Sequence, residues 1–381
     1  MIFWGRGMKT RSITIDILKG YGIILVVAAH ASLPHGGMIS MFHMAIFFIA
    51  SGFCFNFAKK SIDGNYVIQF IKKRIKNLYV PFVGYNIFFL ISRNFLIKLN
   101  IYTDNAEFLE GTLPGHYWGL VSKMSKSEIL SSLKEILLFQ GEQQLEGGAW
   151  FLRAMFSASI LFIIIEYMLE KLVKNKKYLP HIRWFIAIVF LIIGNYIGKH
   201  NISYRLGLHS MFSIYFLLSL GLYLRQQKYF ECNKDNYLLN ILCILFSLTV
   251  LLSLEGQVSV DLNASVLSSV PMFVLVSLLG WLLLWCMSCL TEKIKYAKNI
   301  VAYCGRNSLV ILMLHFLSFK LITLIQIYIF KFPDYELAAF PCLITDGMWC
   351  VAYLLVGVVF PLLLSFIWKK IYKGLKHVCT Q

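Results

Sequence analysis

Residues 13–31 read ITIDILKGYGIILVVAAHA, and this stretch decides the fold. It is long enough and apolar enough to cross a bilayer as a helix, yet it contains Asp16, Lys19 and His30. An ionisable side chain inside a membrane span costs on the order of a few kcal/mol, so such residues usually serve a function. The stretch therefore predicts a membrane helix that carries part of a functional site.

Lys19 and His30 are predicted to lie on one face of this helix. Eleven residues at about 100° each make three turns plus roughly 20°, and they separate the two residues by about 16 Å along the axis. The geometry indicates a slot with a cationic end and a titratable end.

Composition extends the membrane prediction to the whole chain. Hydrophobic residues make up 58% of the 381 residues and charged residues 14%, against about a quarter in soluble domains. The net charge of +17 is distributed in short clusters between apolar runs, which fits loops beside membrane spans and predicts no nucleic-acid partner. The nine cysteines have no metal-ligand spacing, so no metal site is predicted.

The apolar runs predict an all-α fold, a polytopic membrane bundle of about ten transmembrane helices. Their approximate ranges are 13–31, 40–58, 78–97, 150–170, 184–199, 207–224, 237–254, 268–290, 307–330 and 347–368. Lys and Arg are about threefold more frequent in the segments on the N-terminal side, which predicts that both termini are cytoplasmic. The runs are too interleaved to divide, so residues 1–381 are predicted to form a single domain.

One long outer loop is predicted at residues 98–149. Residues 127–138 within it have apolar side chains at helical spacing, which predicts an interfacial helix. At its end come Glu142, Glu146, Trp150 and Arg153. An aromatic residue and an arginine at the start of a span are usually interfacial anchors, and the alternative is that this group binds a substrate outside the membrane.

Two other places carry candidate chemistry. His43 begins the second span after a short turn, so it is predicted to lie at the depth of His30, although a lone membrane histidine is more often a packing residue. The basic run 72–76 precedes the third predicted span at its inner mouth. It is either ordinary inside charge or an anion site, for which the forked donors of Arg74 suit a phosphate.

Four segments occur in order along the chain: Lys19-x10-His30, Phe42-His43-Met44 with Phe47-Phe48 and Ser51-Gly52, Trp150-Phe151-Leu152, and Asn307-Ser308-Leu309 with His315. Together they make the chain similar to acyltransferase family 3, the integral membrane enzymes that O-acetylate bacterial glycans. The resemblance covers most of the chain. Departures are Lys19, where the family often has arginine, and Arg74-Ile75-Lys76-Asn77, where it has Arg-x-x-Arg.

The resemblance implies a multi-pass protein of the bacterial inner membrane that takes acetyl-CoA, or another short acyl-CoA, from the cytosol. The acceptor would be a hydroxyl of a glycan or lipid-linked sugar, with His30 as general base or transient acyl carrier. Lys19 and His43 would assist His30. The residues expected to bind the donor are Lys73, Arg74, Lys76 and Ser51. The residues expected to bind the acceptor are Glu142, Glu146, Trp150 and Arg153.

Two other function classes remain open at this stage. A transporter or flippase for a lipid-linked glycan would also need many spans and a few buried charges, but it usually shows repeat symmetry, which the sequence lacks. A different family of membrane acyltransferases would have a buried Asn and a buried His deep in different spans, and the pair of Lys19 and His30 in the first span argues against it. The partners expected besides acyl-CoA and the acceptor are membrane lipids, and the oligomeric state is left undecided.

Overall fold

The computed structural model describes residues 12–55, 62–105, 107–108, 119–202, 208–227 and 235–378. Almost all regular structure in these ranges is α-helical. The helices are α1 (Ile13–His30), α2 (Gly36–Ser40), α3 (His43–Phe53), α4 (Gly64–Arg74), α5 (Val80–Lys98), α6 (Lys126–Leu137), α7 (Ala149–Leu172), α8 (Leu179–Lys199), α9 (Leu208–Gln226), α10 (Tyr237–Ser253), α11 (Val270–Glu292), α12 (Lys295–Arg306), α13 (Ser308–Phe330) and α14 (Trp349–Val378). A two-residue antiparallel pair, β1 (Val260–Asp261) and β2 (Val266–Leu267), closes one loop.

The membrane prediction is confirmed. In the described ranges, nine helical segments are long and apolar enough to cross a membrane. Three of them are composite, because α2 with α3 makes one span, α4 with α5 makes another, and a 3₁₀ turn at Lys176–Tyr178 extends α8 into a third. The shorter apolar helix α10, of 17 residues, falls on the predicted span 237–254.

Hydrogen bonds made by residues near the two ends of the chain indicate that the chain crosses the membrane an even number of times. Thr14, at the start of α1, donates a hydrogen bond to Glu292 at the end of α11. Lys369 of α14 donates one to Asn307, which directly precedes α13. Since only the short α12 connects α11 to α13, these contacts lie at one end of the bundle. The start of α1 and residue 369 of α14 are therefore at the same end.

The helical segment that contains the third predicted span begins earlier than the sequence predicted. The range 78–97 was expected, but the helical segment starts at Gly64, where Asp63 accepts a hydrogen bond from the Tyr66 N–H as the N-cap. Lys and Arg are good helix formers, so the basic run continues the helix instead of ending it. A π-helical turn at Ile75–Tyr79 joins α4 to α5. Pro81, which lacks an N–H, follows this turn and favours the change in hydrogen-bond register.

Two further boundaries differ from expectation. The second span lies at Gly36–Phe53, earlier than 40–58, and residues 56–58 lie outside the described residues. In the outer loop, α6 coincides with the predicted helix 127–138 within one residue. It begins with a capping box in which Ser125 and Glu128 exchange side-chain and backbone hydrogen bonds.

Helix α1 is at the centre of the bundle, because it contacts α2, α3, α11, α12, α13 and α14. Its ionisable residues therefore face protein rather than lipid. Its contact with α12 is the closest, since a Cβ atom on Gly20 would overlap the Val301 carbonyl and one on Gly305 would overlap the Asp16 carbonyl. Glycine at these positions allows the two backbones to touch.

We expect Gly305→Ala to destabilise the fold by about 1–3 kcal/mol, since the new methyl group must separate α1 from α12. The matched control is Gly84→Ala on α5, where an added Cβ meets nothing within 4 Å. Thermal unfolding of both variants in detergent tests this expectation. Equal unfolding temperatures for the two variants would contradict the packing described here.

Candidate functional site

The centre of the candidate site is a pair of histidines. His30 is the last residue of α1, and its Nδ1 lies 2.9 Å from Nε2 of His315 on α13. The two rings are nearly parallel, with 8° between their planes, and the Phe316 ring lies against both. His315 was not predicted as a site residue, although its segment belongs to the resemblance.

The hydrogen bonds of His315 determine the tautomer of His30. Nδ1 of His315 lies 2.8 Å from the Leu312 carbonyl and 3.1 Å from the Ile311 carbonyl. A carbonyl only accepts, so this nitrogen carries the proton, and Nε2 of the neutral ring accepts a hydrogen bond from His30 Nδ1–H. The remaining nitrogen of His30, Nε2, is left with a free lone pair. His30 is thereby oriented as a base.

This assignment predicts a spectroscopic result. In protein labelled with ¹⁵N-histidine, His30 should carry its proton on Nδ1, and His315→Ala should shift the His30 proton population toward Nε2. The change His200→Ala, at the exposed end of α8, serves as the matched control and should leave the His30 signals unchanged. A wild-type His30 protonated on Nε2 would contradict the assignment.

His30 lines a cavity of about 300 Å³. His43 of α3 and Trp150 of α7 line the same cavity, so the structure brings together three of the predicted site residues. Nδ1 of His43 lies 2.9 Å from the Ile39 carbonyl and donates to it, which leaves His43 Nε2 as an acceptor. Residues 260–263, at the β1 end of the loop that β1 and β2 close, also line this cavity.

The outer loop reaches this cavity through two glycines. Gly147 and Gly148 line it, and a Cβ on either would come within about 3 Å of Phe316 or Leu312 on α13. Glycine therefore lets the loop pack directly against the helix that carries His315.

A second group of predicted residues meets near the end of α3. Arg74 is 8% exposed, and its guanidinium donates a 3.4 Å hydrogen bond from Nη2 to Ser51 Oγ. It lies 5.4 Å from the centre of the Phe55 ring and 4.8 Å from that of Phe70. Lys73 and Lys76 are exposed on the neighbouring helix surface. The predicted donor group is thus one buried arginine with its serine, flanked by lysines on the surface.

Lys19 is distant from His30. Both residues belong to the continuous helix α1, so about 16 Å of helix separates them. Lys19 is half-buried in the part of α1 that packs on α12, where the buried Asp16 carboxylate lies 3.8 Å from Arg306. Lys19 therefore belongs to the end of the bundle that contains residue 12.

The predicted acceptor residues divide into two groups. Trp150 faces the His30 cavity, whereas the buried Glu146 and the partly exposed Glu142 and Arg153 form a separate cluster beside it. Arg153 pairs with Glu142 at 3.0 Å. Burial raises the pKa of Glu142, and Arg153 opposes that effect. Burial, and then the neighbouring Glu142 carboxylate, raise the pKa of Glu146 to about 9, against a smaller opposing effect of the Gln143 backbone.

In the described part of the chain, no three His, Cys, Asp or Glu side chains come together in a way that could hold a metal ion. The arrangement offers instead a base at one end of α3 and a buried cation at the other. His43 and Ser51, eight residues apart, place about 12 Å of helix between the two groups.

A comparison with known families gives one match. The family model Acyl_transf_3, described as an acyltransferase domain, matches residues 12–368. No curated protein and no solved structure matches the chain.

Proposed function

The chain belongs to acyltransferase family 3, and from this membership we propose a specific reaction. The protein moves an acetyl or other short acyl group from cytosolic acyl-CoA to a hydroxyl of a glycan or lipid-linked sugar. It is a multi-pass membrane protein, and the proposal places it in the bacterial cytoplasmic membrane. The observation that carries the proposal is His30 Nε2, an oriented base in a cavity.

The acceptor hydroxyl is activated by His30. As its oxygen attacks the thioester carbonyl, the C–O bond forms, the C–S bond breaks, and the hydroxyl proton moves to His30 Nε2. That proton then passes to the departing CoA thiolate, so charge and atoms balance. His315 supports the step because it holds His30 Nδ1–H while positive charge develops on the ring.

A transient acyl group on His30 would use the same lone pair. The distinction is testable by supplying labelled acetyl-CoA without acceptor. Label that accumulates on wild-type protein and not on His30→Ala indicates the acyl carrier, and an unlabelled protein indicates the direct transfer described above.

Acyl-CoA is proposed to enter from the end of the bundle that contains Arg74. Its phosphates are anions that suit a buried guanidinium and the nearby exposed Lys73 and Lys76. Its thin pantetheine arm would run along α3 from Ser51 toward His43, with Lys19 adding positive charge on the side of α1. The acyl group would then reach the His30 cavity, where Trp150 faces the acceptor.

The proposal is tested with labelled acetyl-CoA and host membranes, with and without the protein. We expect alkali-labile label on a membrane glycan or lipid-linked sugar only when the protein is present. Movement of a lipid-linked glycan that does not need acyl-CoA, with no ester formed, would favour a transporter instead and overturn the proposal.

A further inference from the structure

The turn at residues 142–148, here called the Glu146 turn, buries polar atoms that lack partners. Glu146 is 0% exposed, and neither of its carboxyl oxygens makes a hydrogen bond with the described residues. The side-chain oxygens of Gln143 and Gln144 and the Nε of Arg153 are buried and unpaired in the same way. Native proteins contain few such groups, so this concentration requires an explanation.

The backbone that carries these unpaired groups is held in place by hydrogen bonds to neighbouring side chains. The Gln143 N–H donates to the side-chain oxygen of buried Asn86 on α5, and the Leu145 N–H donates to the Tyr102 hydroxyl. The backbone of the turn is thus fixed, while its side-chain acceptors remain available. Fixed acceptors without partners are the arrangement of a binding site.

The chemistry of the cluster selects the ligand class. Oxygen acceptors predominate, and two neighbouring carboxyl groups disfavour an anion. Arg153 already pairs with Glu142 and disfavours a metal cation. A ligand with several O–H donors would pair with Gln143, Gln144 and Glu146, each of which costs about 1–3 kcal/mol while unpaired.

We propose that the Glu146 turn is the subsite for an uncharged, hydroxyl-rich ring of the acceptor. This inference rests on the proposed function and specifies its acceptor subsite. Glu146 directly precedes Gly147, which lines the His30 cavity, so a ring bound at the turn would lie next to the reacting hydroxyl. The acid proton donates one hydrogen bond, and the carbonyl oxygen accepts another.

Burial, and then the Glu142 carboxylate, favour the protonated form of Glu146, and the other titratable groups nearby come from several elements. Glu142 lies in the same turn as Glu146, and Arg153 belongs to α7. Tyr85 belongs to α5, and Tyr102 lies in the segment after α5. Helix α13 presents Phe316 and Leu312 to the turn, while its His315 is engaged by His30. With a pKa of about 9, Glu146 is protonated at neutral pH. Acceptor binding should therefore weaken as the pH rises through 9.

The test compares Glu146→Gln with Glu146→Leu in the full-length protein. The amide of glutamine keeps one donor and one acceptor, so its KM for acceptor should stay within about twofold of wild type. Leucine has neither group, and we expect its acceptor KM to rise at least tenfold with the acetyl-CoA KM unchanged. The acceptor probe is heat-treated host membrane, titrated against labelled acetyl-CoA. Glu135→Gln, on the exposed face of α6, is the matched control.

Two further readouts make the result decisive. Between pH 7 and 10, the wild type should lose acceptor affinity and Glu146→Gln should not. The infrared carbonyl band of a protonated carboxylic acid should be present in the wild type at pH 7 and reduced in Glu146→Gln, whether or not the protein transfers acyl groups.

Several outcomes would overturn the inference while leaving the proposed function intact. One is transfer by Glu146→Leu with an unchanged acceptor KM, which would mean that the turn holds only water. Another is an inactive Glu146→Gln combined with loss of wild-type transfer in a chelator, which would indicate a cation site. Absence of any transfer by the wild type would instead refute the proposed function.

Discussion

Replacing His30 with alanine is expected to slow acyl transfer by about 10²–10⁴-fold, because the acceptor hydroxyl loses its base. His30 Nε2 has the only lone pair of the His30–His315 pair that is not used in their mutual hydrogen bond or in the bonds to the α13 carbonyls. The KM for acetyl-CoA should change little, since the proposed phosphate site is near Arg74. Initial rates with labelled acetyl-CoA, on protein shown by size-exclusion chromatography to be folded, measure the effect.

The control for this loss is another histidine replaced in the same way. His200 directly follows α8, is exposed, and bonds only to the Tyr196 carbonyl among the described residues. His200→Ala should retain the wild-type rate. Transfer by His30→Ala at a rate similar to that of the control would remove His30 from the mechanism.

Replacing Arg74 with alanine is expected to raise the KM for acetyl-CoA by about 10–100-fold, equivalent to about 1.4–2.8 kcal/mol. The guanidinium is buried, and the described residues provide it with a single hydrogen bond, to Ser51. Its other N–H groups can bind phosphate oxygens in pairs, which a lysine ammonium cannot do. Arg74→Lys should therefore recover only part of the affinity. The acceptor KM should remain the same in both variants.

Lys72 provides the matched control, since it is a neighbouring cation on the exposed surface of α4. Lys72→Ala should change the acetyl-CoA KM by less than about twofold, because an exposed charge in water contributes little. An equal effect of Lys72→Ala and Arg74→Ala would indicate general electrostatic attraction to a basic surface and would contradict a specific site at Arg74.

The sequence predicted the fold class well because the bilayer imposes a simple length rule on apolar runs. It predicted α1 and placed Asp16 inside it, since both depend on one helix. The start of the third span was wrong because a run of lysines forms a helix as readily as it forms a loop. Hydropathy marks the apolar part of a helix and not its capping residue, Asp63.

Contacts between distant helices could not be predicted in the same way. His30 and His315 are 285 residues apart, and neither helix carries a local pattern that specifies their hydrogen bond. The separation of Trp150 from Glu146 depends on the turn at Gly147–Gly148, whose packing on α13 is likewise a long-range effect. The sequence treated the basic run as one group, whereas neighbouring residues of a helix point about 100° apart, so Arg74 is buried while Lys73 is exposed.

The most direct test is a cryo-electron microscopy structure with a non-hydrolysable acetyl-CoA analogue. We expect phosphates at Arg74, the pantetheine arm along α3, and the acyl carbon near the His30 cavity, leaving room for a hydroxyl about 3 Å from His30 Nε2. An analogue bound with its acyl group away from that cavity, or a His30 ring turned toward lipid, would contradict the proposed mechanism.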